Sequence, residues 1–394
     1  VLDGATNLKW SPKLASLELI ATCPDSCKQY VADELAELGA KEIDIRYAAV
    51  AFKCSEADFY RIHLKCRTAS RLLLVIKDFA AKTPEMLFDQ ARRIPWTKTF
   101  DPKHSFIVEG VQTNRGPEHM KSNEISKRIR EALQSSFERA EMTKPKVDLK
   151  EPQVTIVGHV LGGRCTLCID TSGKSLHKRG FRLEGHPAPM KETLASILLR
   201  IVKYDGSQVL LDPMCGSGTI PIEAAYMALH KAPLIHRKKG DFGFEWLKMF
   251  NKDMWREIQD EVRAERAEQP PQSIYARDIS DEFVSMAKTH AKRARVDREI
   301  QFECESFFDV EAPAPGGILL SNLPYGERLK SRENEMIDFY KKIGDTLKHK
   351  YKGWTAALLV AEESPFKFIG LKPKRKIALL NGSIAVKLLI FEIY

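Results

Sequence analysis

A chain of 394 residues with 43% apolar and 29% charged residues has a soluble, globular composition and is long enough for two to four domains. Its apolar runs fall far short of the roughly 20 residues a membrane-spanning helix needs, and the opening VLDGATNLKW lacks the basic-then-apolar order of a signal peptide. A formal charge of +9 and a pI near 9.0 point to a polyanionic partner. Four basic clusters carry much of that charge: Lys127-Arg128-Ile129-Arg130, Lys178-Arg179, Arg237-Lys238-Lys239 and Lys372-Pro373-Lys374-Arg375-Lys376. Their separation suggests surface patches rather than one basic tail. Eight cysteines are irregularly spaced, and neither close pair (Cys23/Cys27, Cys165/Cys168) is followed by a second ligand pair. No metal site is expected, and the thiols read as those of a reduced, cytoplasmic protein.

In chain order, Leu17–Ala21 reads as a strand and Ser26–Leu38 as a helix stopped by Gly39. Alternating Ile43, Ile45 and Tyr47, a strand at Val50–Phe52, a helix over 55–66 and the strand Arg71–Ile76 complete a β-α-β-β-α-β order. That is the pattern of a ferredoxin-like α+β domain. A second segment carries a helix (86–94), a strand (106–111), a basic helix (122–137) and strands at 154–160 and 165–169. The basic helix has one apolar stripe, Ile125, Ile129 and Leu133, and is a candidate RNA contact.

From about 186 the chain alternates helix and strand: helices at 189–204, 219–230, 281–295 and 335–349, strands at 207–212, 274–279, 300–304, 317–322 and 354–361. Alternation of this kind implies a doubly wound parallel sheet. The apolar ending 384–393 reads as one more strand, or two with a bend.

Two polar turns follow buried strands of this sheet. In Asp212-Pro-Met-Cys-Gly-Ser-Gly-Thr219, Gly216 and Gly218 permit close approach of a ligand, and the helix beginning near Thr219 offers its N–H groups to a carboxylate. Asp212 can meet an ammonium, so an amino-acid-like moiety fits, whereas a triphosphate would want the lysine of a P-loop. An acid ending the next strand should hold ribose hydroxyls. Asp278 is that acid, displaced by an insertion over 231–270 that reads as a packed helical embellishment rather than a substrate lid.

The second turn is Asn322-Leu-Pro-Tyr-Gly326. The Asn322 side-chain oxygen and the Leu323 carbonyl can both accept from one exocyclic amine, aiming its nitrogen lone pair at an electrophile. Tyr325, after Pro324, offers a ring on which an extruded base can stack.

With both turns placed, the chain resembles the class I S-adenosylmethionine-dependent methyltransferases that act on exocyclic amines. Within them it is similar to the THUMP-domain RNA guanine-N2 methyltransferases, above all the bacterial 23S rRNA group. Besides the two turns, Asp170–Gly173, Leu176–Arg182 and Ala188–Leu194 carry the likeness, which spans nearly the whole chain. It implies an α/β Rossmann-like class I methyltransferase domain (186–394) preceded by α+β ferredoxin-like (14–80) and THUMP (81–172) domains. It implies S-adenosylmethionine as cofactor, with Asp212, Met214, Gly216, Gly218 and Thr219 along its methionine portion and Asp278 on its ribose. Met190 and Glu192 would close one side of the pocket. Asn322, Leu323, Pro324 and Tyr325 would grip the guanine, and the N-terminal domains would bind folded rRNA, the chain acting as a monomer or weak homodimer.

Two departures from the family pattern stand out. Leu323 replaces the first proline of Asn-Pro-Pro-Tyr, which frees φ and implies a looser loop. Ser306 stands where the family has an acid facing the adenine amine, and a hydroxyl can still accept a hydrogen bond there. Two other functions fit the same residues: methylation of tRNA guanine, and a non-catalytic RNA-binding or ribosome-assembly factor.

Overall fold

The computed structural model describes residues 16–112, 120–183, 190–324 and 333–394. Its N-terminal body contains β1 (Leu17–Thr22), α1 (Lys28–Glu37), β2 (Lys41–Arg46), β3 (Ala49–Cys54), α2 (Glu56–Lys65) and β4 (Arg71–Ala80). It continues with α3 (Pro84–Arg92), α4 (Trp96–Thr99), β5 (Phe106–Gln112), α5 (Ser122–Arg139), β6 (Val154–Leu161) and β7 (Arg164–Asp170). Local chemistry sets several of these bounds. Ser55 Oγ accepts from Asp58 N–H to start α2, and Thr83 Oγ1 accepts from Met86 N–H to start α3, with Pro84 at its first position.

The two N-terminal segments form a single seven-stranded sheet of order β2-β3-β1-β4-β7-β6-β5. Strand β4 makes the join. Its residues 71–74 pair with β1 on one side, and 73–80 pair with β7 on the other. Helix α5 lies directly on β5 and β6, because Gly110 and Gly158 leave it room. A Cβ at Gly110 would stand 2.2 Å from Ser122 O, and one at Gly158 2.2 Å from Ile129 Cδ1.

The C-terminal body holds α6 (Glu192–Ile201), β8 (Leu210–Asp212), α7 (Thr219–Ala228), α8 (Lys252–Ala264), β9 (Ile274–Asp278), α9 (Asp281–Ala294) and β10 (Ile300–Cys304). It ends with β11 (Gly317–Asn322), α10 (Glu333–Lys350), β12 (Trp354–Ala361), β13 (Arg375–Asn381) and β14 (Ile384–Glu392). The sheet order is β10-β9-β8-β11-β12-β14-β13. Strands β8 to β12 are parallel, but β14 runs antiparallel to both β12 and β13. The sheet is therefore mixed, not wholly parallel. Strand β13 escapes the sequence because Lys374-Arg375-Lys376 reads as a charged patch, although only Leu379 and Asn381 of this edge strand are buried.

The insertion packs away from the sheet it interrupts. Phe242, Phe244, Leu247, Trp255 and Ile258 join the core of the N-terminal body. Phe244 meets the rings of Phe59 and Tyr60 edge-on, and the Tyr60 hydroxyl accepts from Asn251 N–H at 2.9 Å. The segment that sequence order assigns to the methyltransferase domain thus belongs, by packing, to the other body. It fastens the two together.

Two of the basic clusters do the same work. Arg179 is fully buried against Glu223 of α7, and the Arg237 guanidinium donates to the Ser172 and Ser175 carbonyls. Burial holds Arg237 down to about 10. Neither arginine is free to form part of a surface patch, because each is consumed by carbonyls or a carboxylate at the junction.

Candidate active site

The carboxyl ends of β8 and β11 lie side by side where strand order reverses, the crevice in which open α/β sheets hold ligands. Leu211 is level with Leu319, so Asn322 stands about 7 Å further along the crevice than Asp212. Ser321 Oγ donates to Asp212 Oδ1 at 2.7 Å, and Met214 N–H donates to the same oxygen at 3.3 Å. Burial pushes the Asp212 carboxyl up to about 7, opposed by those two bonds and assisted by the charge of nearby Asp278.

The ammonium contact expected of Asp212 from the sequence would need its ionised form. Affinity for S-adenosylhomocysteine should therefore fall as pH drops through about 7, approaching about tenfold per pH unit well below it. Titration calorimetry across that range checks this. Asp212→Asn should bind weakly at every pH, and a wild-type profile as flat as that variant's would remove Asp212 from this role.

The glycine loop is held from both sides. Cys215 N–H donates to Arg277 O at 2.8 Å, Gly216 N–H to Asp278 Oδ2 at 2.9 Å, and Gly218 N–H to Cys215 O at 2.9 Å. Both glycines are left-handed, with φ of +50° at Gly216 and +82° at Gly218, the N-cap of α7. Their environments differ. A Cβ at Gly218 would press on Ala287 at 2.9 Å, whereas one at Gly216 would meet nothing within 4 Å. Gly218 serves helix packing, and Gly216 faces open space.

Asp278 holds the loop through Oδ2, and its other oxygen accepts from Ser280 N–H at 3.0 Å. Each carboxylate oxygen keeps a further lone pair for a hydroxyl. Across the sheet Asp278 is level with Cys304. Ser306 lies two residues beyond, its Oγ accepting from Phe308 N–H at 3.2 Å.

Met190 and Glu192 are both buried, and both are held by Arg182. Its Nε donates to Glu192 Oε1 at 2.6 Å, and its Nη2 donates to Met190 O at 2.6 Å and to Thr219 Oγ1 at 3.0 Å. Burial raises the Glu192 carboxyl, while Arg182 pulls it back.

The Asn322 Oδ1 atom is buried with no hydrogen-bond partner among the described residues. Such an orphan acceptor costs about 1–3 kcal/mol and marks a place where a donor belongs. Leu323 corrects the looser loop read from sequence. Its N–H donates to Leu359 O at 3.0 Å and its side chain is buried under α10. A proline could make no such bond, so the ladder restores the rigidity that φ loses. Pro324 is exposed, and Tyr325 lies outside the described residues.

Four participants were not singled out from the sequence: Arg182, Ser217, His290 and Ser321. Ser217 Oγ is buried without a partner among the described residues. His290 Nδ1 donates to Ser217 O at 3.0 Å, while its Nε2 accepts from Leu183 N–H at 3.2 Å. Ser321 left a local signal, as a hydroxyl closing an otherwise apolar strand, and Arg182 ends a stretch that carries the family likeness. The others act through contacts distant in sequence.

The described residues contain no cluster of metal-ligating side chains and no helix long and apolar enough to cross a membrane. Residues 179–390 match the family model of the RMKL-like methyltransferase domain. The chain belongs to that methyltransferase family. Residues 81–170 match the THUMP domain and 18–73 the RlmL ferredoxin-like domain. The chain is 31% identical over 374 residues to slr0064 of Synechocystis, named as a candidate RNA methyltransferase, covering 95% of this chain and 96% of that protein. It is 32% identical over 382 residues to the ribosomal RNA large subunit methyltransferase K/L of Shewanella baltica. That match covers 96% of this chain but 53% of the relative, so the chain spans about half the length of such K/L proteins. Among solved structures, SMU.472, a candidate methyltransferase crystallised with SAH, superimposes with a TM-score of 0.86 at 25% identity, covering 96% of this chain and 98% of that one.

Proposed function

We propose that this methyltransferase transfers a methyl group from S-adenosylmethionine to the exocyclic N2 of a guanine in RNA, with large-subunit rRNA as the substrate. The observation that carries the reading is the Asn322 oxygen, buried and without a partner among the described residues, beside a crevice that also presents the Asp212 carboxylate and the open face of Gly216. When bound, the cofactor supplies an electrophilic methyl on a sulfonium. Asp212 meets its ammonium, Gly216 leaves room for its chain, and Asp278 has lone pairs to spare for its ribose. Asn322 Oδ1 and the Leu323 carbonyl accept the two N–H groups of the target amine, so its lone pair faces the methyl. After transfer the nitrogen releases its surplus proton to water. Positioning and polarisation suffice, without a general base.

The THUMP match and the large-subunit name of the K/L relatives support an RNA substrate of this kind. The base is extruded into the crevice. Nucleoside mass spectrometry of rRNA and tRNA from a deletion strain tests the reading. Loss of N2-methylguanosine from large-subunit rRNA is expected. Loss from tRNA alone would replace the substrate, and loss from neither would favour the non-catalytic assembly factor.

A further inference from the structure

The described part of the linker between the two bodies (171–183, following β7) brings the Arg182 guanidinium to Thr219 at the start of α7. Arg182 is fixed on three sides by Glu192, the Met190 carbonyl and the Thr219 hydroxyl, and its side chain remains 19% exposed. Those bonds use Nε and Nη2. Among the described residues Nη1 donates to nothing, so one edge of a rigidly held guanidinium is left over. Its place is unusual, because the amino end of α7 is already the positive end of a helix dipole and favours anions. Glu192 meets the guanidinium through Nε, which leaves the Nη1 N–H groups available as donors.

A second observation comes from the loop itself. Ser217, 7% exposed, has a buried hydroxyl with no partner among the described residues. It precedes the N-cap Gly218 and is held through its carbonyl by His290. Ser217 and the helix amino terminus are consecutive in chain, and Arg182 reaches the same helix end through Thr219 Oγ1, so a free guanidinium edge, an orphan hydroxyl and a helix amino terminus are donors that await one anion. The adjacent Asp212 takes the opposite charge, so the pair suits an α-amino acid, with ammonium and carboxylate held a few ångströms apart.

We propose that Arg182, with Ser217, binds the carboxylate of the cofactor's methionine portion. This rests on the methyltransferase reading and adds residues to it. Glu192 then becomes a positioning residue: it holds Arg182 and does not itself touch the cofactor. The arginine follows directly on the junction, where Arg179 of the same linker is locked to Glu223 and to the Arg67 carbonyl.

Two ligands separate carboxylate recognition from loop integrity. S-adenosylhomocysteine carries the amino acid; 5′-methylthioadenosine keeps the adenosine and sulfur but lacks it. Calorimetric titration of the whole chain should show Arg182→Met weakening S-adenosylhomocysteine by about tenfold or more while leaving methylthioadenosine unchanged. Arg182→Lys should recover part of the loss, because an ammonium can reach the anion without the fork geometry. Ser217→Ala should show the same selectivity with a smaller drop. Equal losses for both ligands would reduce Arg182 to a structural prop and overturn the proposal, as would an unchanged S-adenosylhomocysteine affinity. Failure of the unaltered chain to bind either ligand would instead overturn the methyltransferase reading beneath it.

Discussion

Asn322→Ala should lower the rate of methyl transfer by a hundred- to a thousandfold, on the order of what removing one preorganised polar contact costs other enzymes. The alanine variant deletes the buried oxygen that has no partner among the described residues. Without it the target amine keeps only the Leu323 carbonyl and can swing, so its lone pair points at the methyl for a small part of the time. Cofactor affinity should hold, because Asp212, Gly216 and Asp278 stand on other strands and loops. Folding should hold as well, since that acceptor has no hydrogen bond to lose among the described residues. Asn322→Asp, which keeps an acceptor in place, should retain more activity than the alanine variant. Single-turnover methylation of rRNA with labelled cofactor measures the effect, and wild-type rates in Asn322→Ala would remove the residue from the chemistry.

That residue was legible in the sequence because its signal is local: a polar turn closing an apolar run. The same holds for Asp212 and for the two glycines of its loop, and strand–helix alternation yields the order of β8 to β12 with bounds within three residues. Failures arise where the deciding contact is distant. β13 shows no apolar alternation at its start, since an edge strand can leave its charged residues in water. The shared N-terminal sheet depends on β4 pairing with β7 across about ninety residues of chain. The insertion looked like an appendage of the domain that contains it, because nothing in Phe242-Gly-Phe-Glu-Trp says which core it enters. Arg179 and Arg237 were read as surface charge. Their burial follows from carbonyls and a carboxylate supplied by other segments, so the same residue types that suggest RNA binding act here as interior fasteners.

The Arg179–Glu223 pair carries the largest expected stability effect. Both side chains are wholly buried. Arg179 Nε donates to Glu223 Oε1 at 3.1 Å, its Nη1 to Leu176 O at 2.6 Å and its Nη2 to Arg67 O at 2.7 Å. Ser196 donates to the second Glu223 oxygen, and Arg67 reaches on to the Tyr226 and Lys231 carbonyls. Linker, α6, α7 and the ferredoxin-like segment thus meet in one polar knot. Glu223→Ala would leave the guanidinium without its counter-charge in a site closed to water, a defect of about 3–5 kcal/mol. In thermal unfolding this should appear as a fall on the order of 10 °C in the transition of the methyltransferase body. A double variant, Arg179→Met with Glu223→Leu, should recover most of the lost stability, because buried ion pairs replaced by apolar groups of similar volume often cost little. It should not recover S-adenosylhomocysteine affinity fully, because the stretch that carries Arg182 would lose the Arg179 bonds that anchor it to α7, to Leu176 O and to Arg67 O. A Glu223→Ala variant melting with the wild type would mean that the knot opens to water at little cost, and the junction would then rest on the aromatic packing of the insertion.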